Sequence, residues 1–425
     1  MTGQWIDASL NGGGPYAAKS YFFKGDQYVR YDWASDKAEF GTEPVLRAWK
    51  LPPAFAGNFD AALDGRGKYA GKAYFFKAGE YVRYDWKSDS GDAGFPQPLT
   101  AWGLPGDFAT GITACLNGEG PFEGKAFFFK NDSYVRYDWA TERIDAGYPQ
   151  PLSAWNLPGI SVFATGFDAC LNGRGSYKGK AYFFKGDSYC RYDWATDKPD
   201  QEPRVLLRNW PGLLELLATG LAKSEALKWI WAAQPQVTAY MAWLQTGATF
   251  TFPQPLFEQA LQTHFHIDSA WPANKKLGYL NTIAANFVGL TQALDKSSTI
   301  FSAHSDKEAA ANGYAGPDGT ANVRAYTTFN DKVSFTTLFP QGCGPNCRAA
   351  IVAHEVIHYV DNNSGAANNH IPEWYEPPQA DPKIPKHYSS QTADEAIHNS
   401  CSYASFSAHL YYSDDRRYGY GRIMD

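Results

Sequence analysis

Lys72-Ala73-Tyr74-Phe75-Phe76-Lys77-Ala78-Gly79-Glu80-Tyr81-Val82-Arg83-Tyr84-Asp85-Trp86 decides the fold of the first half of this chain. Two aromatic-rich runs meet at Ala78-Gly79, and that pattern reads as a β-hairpin. The same hairpin is written four times. A Tyr-Phe-Phe-Lys or Phe-Phe-Phe-Lys run ends at Lys24, Lys77, Lys130 and Lys185, so the spacings are 53, 53 and 55 residues. Arg-Tyr-Asp-Trp begins at Arg30, Arg83, Arg136 and Arg191, and a second tryptophan recurs at Trp49, Trp102, Trp155 and Trp210.

Working outward within one copy, Phe59 to Leu63 is a further short strand, Asp64 to Gly67 a turn, and a segment with Pro96, Pro98 and Trp102 closes the unit. Strands joined by tight turns, at about 50 residues per unit, suit one blade of a propeller. A single blade cannot bury its faces, whereas four in a ring can. The Asp-Ala-Ala, Tyr-Phe-Phe-Lys and Tyr-Val-Arg-Tyr-Asp strands resemble the hemopexin repeat, matched four times in phase over residues 4 to 212. The resemblance implies an all-β four-bladed propeller over residues 1–212, with blades at about 4–52, 57–105, 110–158 and 165–211. It also implies a docking or recognition module whose ligand is a protein, a glycan or a small molecule.

Propellers of that family often hold ions in the central channel, and the equivalent positions here are Asp7, Asp60, Thr113 and Asp168. Three aspartates and a threonine suit a cation such as Ca²⁺ or Na⁺, and equally suit capping of the first strand. Haem is disfavoured, because this half contains no histidine. The repeated Arg-Tyr-Asp-Trp reads as inter-blade packing, with Arg and Asp paired and Trp covering an edge, rather than as four ligand clamps. Cys190 supports packing, since Val29, Val82 and Val135 hold its place in the other blades.

Composition bounds the rest. The chain has 425 residues, and 38 Lys and Arg against 44 Asp and Glu create no positive field for nucleic acid. No run approaches the roughly 20 apolar residues of a membrane span, and the start lacks a signal peptide. The expectation is a soluble protein, cytoplasmic or exported by a non-classical route. Cys115, Cys170 and Cys190 read as buried thiols.

All nine histidines lie beyond residue 263. After Trp210-Pro211-Gly212 the repeat stops, and residues 213–425 read as a mixed α+β domain. Residues 213 to 247 read as amphipathic helices, Phe257 to Phe265 as another helix, and residues 322 to 337 as a strand pair about Asn330-Asp331. The decisive stretch here is Arg348 to Asp361, apolar at helical spacing and containing His354-Glu355-Val-Ile-His358. One helical turn separates the two histidines, so both imidazoles project from one face and can meet one Zn²⁺ beside Glu355. A third ligand must come from elsewhere. Position 364 is Ser, which excludes the metzincin arrangement, and leaves Asp361, His370, Glu373, Asp381, Asp394 and Glu395 as candidates. Asp361, less than a turn beyond His358, suits an outer-sphere partner.

The stretches Phe339-Pro340, Gly344 to Asp361 and Asp394 to Phe406 resemble the deuterolysin and peptidyl-lysine metalloendopeptidase group, the aspzincins. The resemblance covers about residues 255 to 412 and implies a zincin-like zinc endopeptidase acting on protein or peptide substrates. That family takes its third ligand from an aspartate in Gly-Thr-x-Asp-x-x-Tyr, a string absent here. The nearest equivalent is His370-Ile-Pro-Glu373-Trp-Tyr375, so the resemblance assigns Glu373 as third ligand, ahead of Asp381 and of Glu395 on a helix expected over 392–410. Glu355 becomes the general base and Tyr375 the oxyanion donor, with Tyr388 and Tyr403 as alternatives. Cys343 and Cys347 suit a local disulfide, or one of them a bridge to Cys401. The reading from a different class is a non-catalytic binding or toxin-like protein whose zincin domain is inactive or structural.

Overall fold

The computed structural model describes residues 3–39, 42–157, 160–328, 332–363 and 388–415. The chain divides into two compact units, Met1–Gly220 and Leu221–Asp425. Sequence placed the division at 212; it falls instead within the helix Leu213–Thr246 (α1), because the first turns of that helix belong to the N-terminal unit. Leu213, Leu214, Leu216 and Leu217 are buried, and a Cβ on Gly220 would stand 2.7 Å from Thr42 Cγ2.

The first unit contains four five-stranded antiparallel sheets. Their innermost strands are Ala8–Asn11, Ala61–Asp64, Ala114–Asn117 and Ala169–Asn172. In the second blade Lys72–Lys77 pairs with Glu80–Asp85, placing Phe75 opposite Val82 and Tyr74 opposite Arg83. The four central residues of each Lys-x-x-x-x-Lys strand are buried, which is why this strand is aromatic without alternation. Val29, Val82, Val135 and Cys190 are completely buried at equivalent positions, as packing requires.

Tryptophans join the blades. Trp86 of the second blade packs 5.5 Å from Trp49 of the first, Trp139 lies 5.6 Å from Trp102, and Trp194 lies 5.9 Å from Trp155. Trp33 closes the ring onto the fourth blade at 5.6 Å from Trp210. Packing is therefore the role of the repeated motif, but the ion pairs seen among the described residues do not join Arg and Asp of one motif. Arg83 and Arg136 reach instead to Asp92 and Asp145, nine residues on, and Arg30 and Arg191 do the same with Glu39 and Asp200. The motif aspartates Asp85, Asp138 and Asp193 pair with the lysine opening the previous strand. Alternation puts Arg and Asp on the same strand face, but cross-strand neighbours lie closer to each than they do to one another.

Asparagines tie the innermost strands together around the axis. Asn11 Nδ2 donates to Asn172 O at 3.0 Å, Asn172 Nδ2 to Asn117 O at 2.8 Å, and Asn117 Nδ2 to Asp64 O at 2.8 Å. Asp64 holds the fourth position of this ring. Burial pushes its carboxyl up to about 6, against the pull of Arg174 and Arg66, with Glu119 adding to the rise. A carboxyl raised in the folded state favours folding when protonated, so its contribution is present below about pH 4 and lost as pH climbs through about 6. Asp64→Asn completes the ring of amides, and Arg174 keeps Glu119 at 3.2 Å. The expected result is a gain of roughly 1–2 kcal/mol at pH 7 and a flatter stability profile between about pH 4 and 6. Denaturant unfolding of residues 1–220 across that range checks it; equal stability of parent and variant at pH 7 contradicts it.

In the second unit, Gln254–Phe265 (α2) and Ala273–Asp295 (α3) precede a three-stranded sheet. That sheet comprises Phe301–His304 (β1), Ala325–Thr328 (β2) and Lys332–Thr336 (β3), in the order β1-β3-β2, with β1 parallel and β2 antiparallel to β3. The expected strand pair is thus present. Pro345–Asn363 (α4), Ala393–Ala396 (α5) and Ser400–Tyr412 (α6) follow. The segment read as several helices after 213 is the single helix α1, which accommodates Pro235; Gln236 Nε2 donates to Ala232 O at 2.9 Å nearby. No helix among the described residues is long and apolar enough to cross a membrane.

Small residues bring the helices close around α4. Ala349, Ala350 and Ala353 pack with Ala226 and Trp229 of α1 and with Ala404 and Ala408 of α6. On α3, a Cβ at Gly289 would meet Val360 Cγ1 at 2.7 Å, so only glycine permits this approach.

Candidate metal centre

Helix α4 delivers the motif as its spacing predicts. His354 and His358 lie one turn apart, and their Nε2 atoms converge to 3.1 Å. Two ligand atoms each ~2.05 Å from a tetrahedral zinc stand about 3.3 Å apart, so the pair has the separation a shared zinc requires. His354 and Glu355 are both buried, at 2% and 8% exposure.

The imidazoles are oriented by the start of α6. Asn399 caps that helix by accepting from Cys401 N at 3.0 Å, and its Nδ2 donates to Gln391 Oε1 at 3.0 Å. This fixes Ser400 Oγ 3.0 Å from His358 Nε2 and 3.5 Å from His354 Nε2. Cys401 Sγ lies 3.3 Å from His354 Nδ1, on the side of the ring away from His358. Glu355 is held by the edge strand β2, where Thr327 Oγ1 donates to Glu355 Oε2 at 2.8 Å and lies 2.9 Å from Glu355 O. Asp361 is half-buried on the same helix; burial raises its carboxyl to about 6 while the neighbouring His358 draws it down.

Other expected positions fare differently. Glu373, Tyr375, His370 and Asp381 lie outside the described residues. The helix expected over 392–410 is two helices broken at Asn399, because Thr392 and Asn399 are both capping residues. Glu395 is engaged in the capping box of α5, accepting from Thr392 N at 2.7 Å and from Thr392 Oγ1 at 2.9 Å, which gives it a helix-start role. Tyr403 donates its hydroxyl to Ile397 O at 2.7 Å and accepts from Asn286 at 2.6 Å, and Tyr388 OH sits 2.9 Å from His264 Nδ1. Both alternative donors thus have their hydroxyls engaged within the packed interior. Cys343 and Cys347 form a disulfide that joins the chain before α4 to the first turn of that helix, and Cys401 is a buried thiol outside any disulfide.

Sequence reading missed Thr327 and Ser400 and gave Cys401 a different role. No local pattern marks Thr327, whose partner lies 28 residues away. For Ser400 and Cys401 the signal was the Asn399 cap, which predicts a helix start there.

In the channel of the first unit, Asp7 and Asp168 accept from Gly25 N at 2.8 Å and Gly186 N at 2.7 Å and pair with Lys24 and Lys185. Asp60 accepts from Ala78 N at 2.7 Å, and Thr113 Oγ1 donates to Phe129 O at 3.2 Å. These contacts hold the hairpin that follows each innermost strand. The residues line a mouth of about 480 Å³.

Residues 120–159 match the Hemopexin family model. Interstitial collagenase B of Mus musculus is 32% identical over 149 residues, 34% of this chain and 29% of that protein. Stromelysin-1 of Equus caballus is 26% identical over 172 residues, 40% of this chain and 32% of that protein. The match thus spans about a third of the length of these curated relatives. Among solved structures, LS24, a seed albumin from Lathyrus sativus, aligns with TM-score 0.43 and 21% identity over 51% of this chain and 99% of that one. The N-terminal unit is a hemopexin-fold domain, carried by the four repeated sheets and the family match.

Proposed function

We propose that the C-terminal unit is a zinc-dependent, aspzincin-like endopeptidase domain and that the hemopexin-fold domain docks its protein substrates. The observation that carries this reading is the convergence of His354 and His358 Nε2 at 3.1 Å with a buried glutamate at the next residue after His354. Two imidazoles and nearby carboxylates form a donor set suited to zinc, with His354 and His358 as ligands and Glu373 supplying the third. Zinc bound there would acidify a water to a pKa of about 7 and polarise the scissile carbonyl.

The chain's own groups do the rest. Glu355 accepts the water's proton and returns it to the leaving amine, while Thr327 holds one carboxylate oxygen in place. Cys401 faces His354 Nδ1 and orients that ring, so that Nε2 points at His358. Tyr375 is the proposed donor to the oxyanion. The relatives whose names specify collagenase and stromelysin favour a proteinaceous substrate for the docking domain.

The test is cleavage of a fluorogenic peptide library by the full chain, with and without a zinc chelator. Chelator-sensitive cleavage restored by zinc supports the reading. Absence of cleavage by zinc-loaded protein leaves the non-catalytic binding alternative.

A further inference from the structure

The histidine-rich half contains a second pair of imidazoles that the motif does not use. His264 lies in the last turn of α2 and His409 in the last turn of α6, and both are buried, at 0% and 1% exposure. His264 Nε2 stands 2.9 Å from His409 Nδ1. Just past the end of α6, where Ser413 turns the chain with φ 54°, Asp415 brings Oδ1 to 3.8 Å from the same His264 Nε2. One ligating atom from each of the three residues falls within 4.8 Å of the others.

We propose that His264, His409 and Asp415 form a second divalent-metal site, of the zinc class, that clasps the C-terminal end of α6 to α2. Four observations carry it. The donor separations of 2.9 and 3.8 Å bracket the ~3.3 Å between ligands on a tetrahedral zinc. Two imidazole nitrogens with one carboxylate is a set that selects zinc and its transition-metal neighbours over calcium or magnesium.

The other nitrogen of His264 is already oriented: Nδ1 lies 2.9 Å from Tyr388 OH, and an N–H there leaves the Nε2 lone pair directed at His409 and Asp415. The site is also graded in access, because the two histidines are buried whereas the Asp415 side chain is 35% exposed. A metal can enter, and a water can complete the coordination, from the Asp415 side. A plain Tyr388–His264–His409 hydrogen-bond chain is the competing account, and it gives Asp415 no part. The site shares no residue with the His354–His358 pair.

The test is zinc content and cobalt titration of the full chain. The parent is expected to hold two equivalents of zinc and His354→Ala/His358→Ala one. That remaining equivalent is lost on adding His409→Ala. In the same double-variant background, Asp415→Ala, a change at the exposed rim that should preserve the fold, weakens cobalt affinity by about tenfold or more and shifts the cobalt absorption spectrum. A folded His354→Ala/His358→Ala chain that binds neither zinc nor cobalt overturns the proposal, as does an Asp415→Ala variant with unchanged affinity. A parent with one equivalent that is lost on His409→Ala and kept in His354→Ala/His358→Ala supports the clasp while removing the peptidase reading.

Discussion

Glu355→Gln is expected to leave the fold and zinc content of the chain unchanged and to lower peptide cleavage by about 10²- to 10⁴-fold. Glutamine matches glutamate in shape and can still accept the 2.8 Å hydrogen bond from Thr327, so β2 and α4 keep their contact. What it lacks is a basic oxygen able to take a proton from the attacking water. His354→Ala differs in kind. On the proposed reading it removes a ligand, so the motif's own equivalent of zinc is lost together with activity while the equivalent proposed at His264 and His409 stays, and elemental analysis separates the two variants. Activity of Glu355→Gln within a few-fold of the parent would sink the assignment of Glu355 as base.

Trp210→Ala is expected to cost the N-terminal unit about 3–5 kcal/mol, among the largest effects of any single truncation there. Trp210 is 3% exposed and lies where the ring closes. On one side it meets Tyr182 at 5.1 Å and Phe184 at 5.3 Å from its own blade; on the other it meets Tyr31 at 5.0 Å, Phe22 at 5.4 Å and Trp33 at 5.6 Å from the first blade. Removing the indole leaves a cavity that rigid sheets on both sides cannot collapse to fill. Denaturant unfolding of residues 1–220, followed by near-ultraviolet circular dichroism, measures the loss. Leu46→Ala, 52% exposed in the same unit, serves as the control and should change stability by no more than about 0.5 kcal/mol. A Trp210 variant as stable as that control would show that the ring does not depend on this closure.

The fold of the first half was legible because a repeat states the same physical demand four times. Buried strands, tight turns and closing tryptophans recur in phase, and each copy confirms the others. Helix α3 shows the opposite case. Its Gly278 and Gly289 and its scattered polar residues weaken the helical pattern, and its glycine at 289 makes sense only once Val360 is known to lie against it. The strand β1 was likewise silent, since four residues that pair in parallel with β3 carry no local turn signal linking them.

By itself the sequence determined the blade unit, its count, the buried identity of Cys190, and the helix that presents His354, Glu355 and His358. These are local or periodic properties, fixed by residue spacing along a strand or helix. Tertiary structure decided which acid each motif arginine reaches, that Asn399 splits the last helical stretch, and that Ser400, Cys401 and Thr327 stand around the motif. It also decided that His264 and His409, separated by 145 residues, meet at 2.9 Å. Such contacts depend on how helices and strands distant in sequence pack, and the spacing of residues along the chain holds no record of that distance.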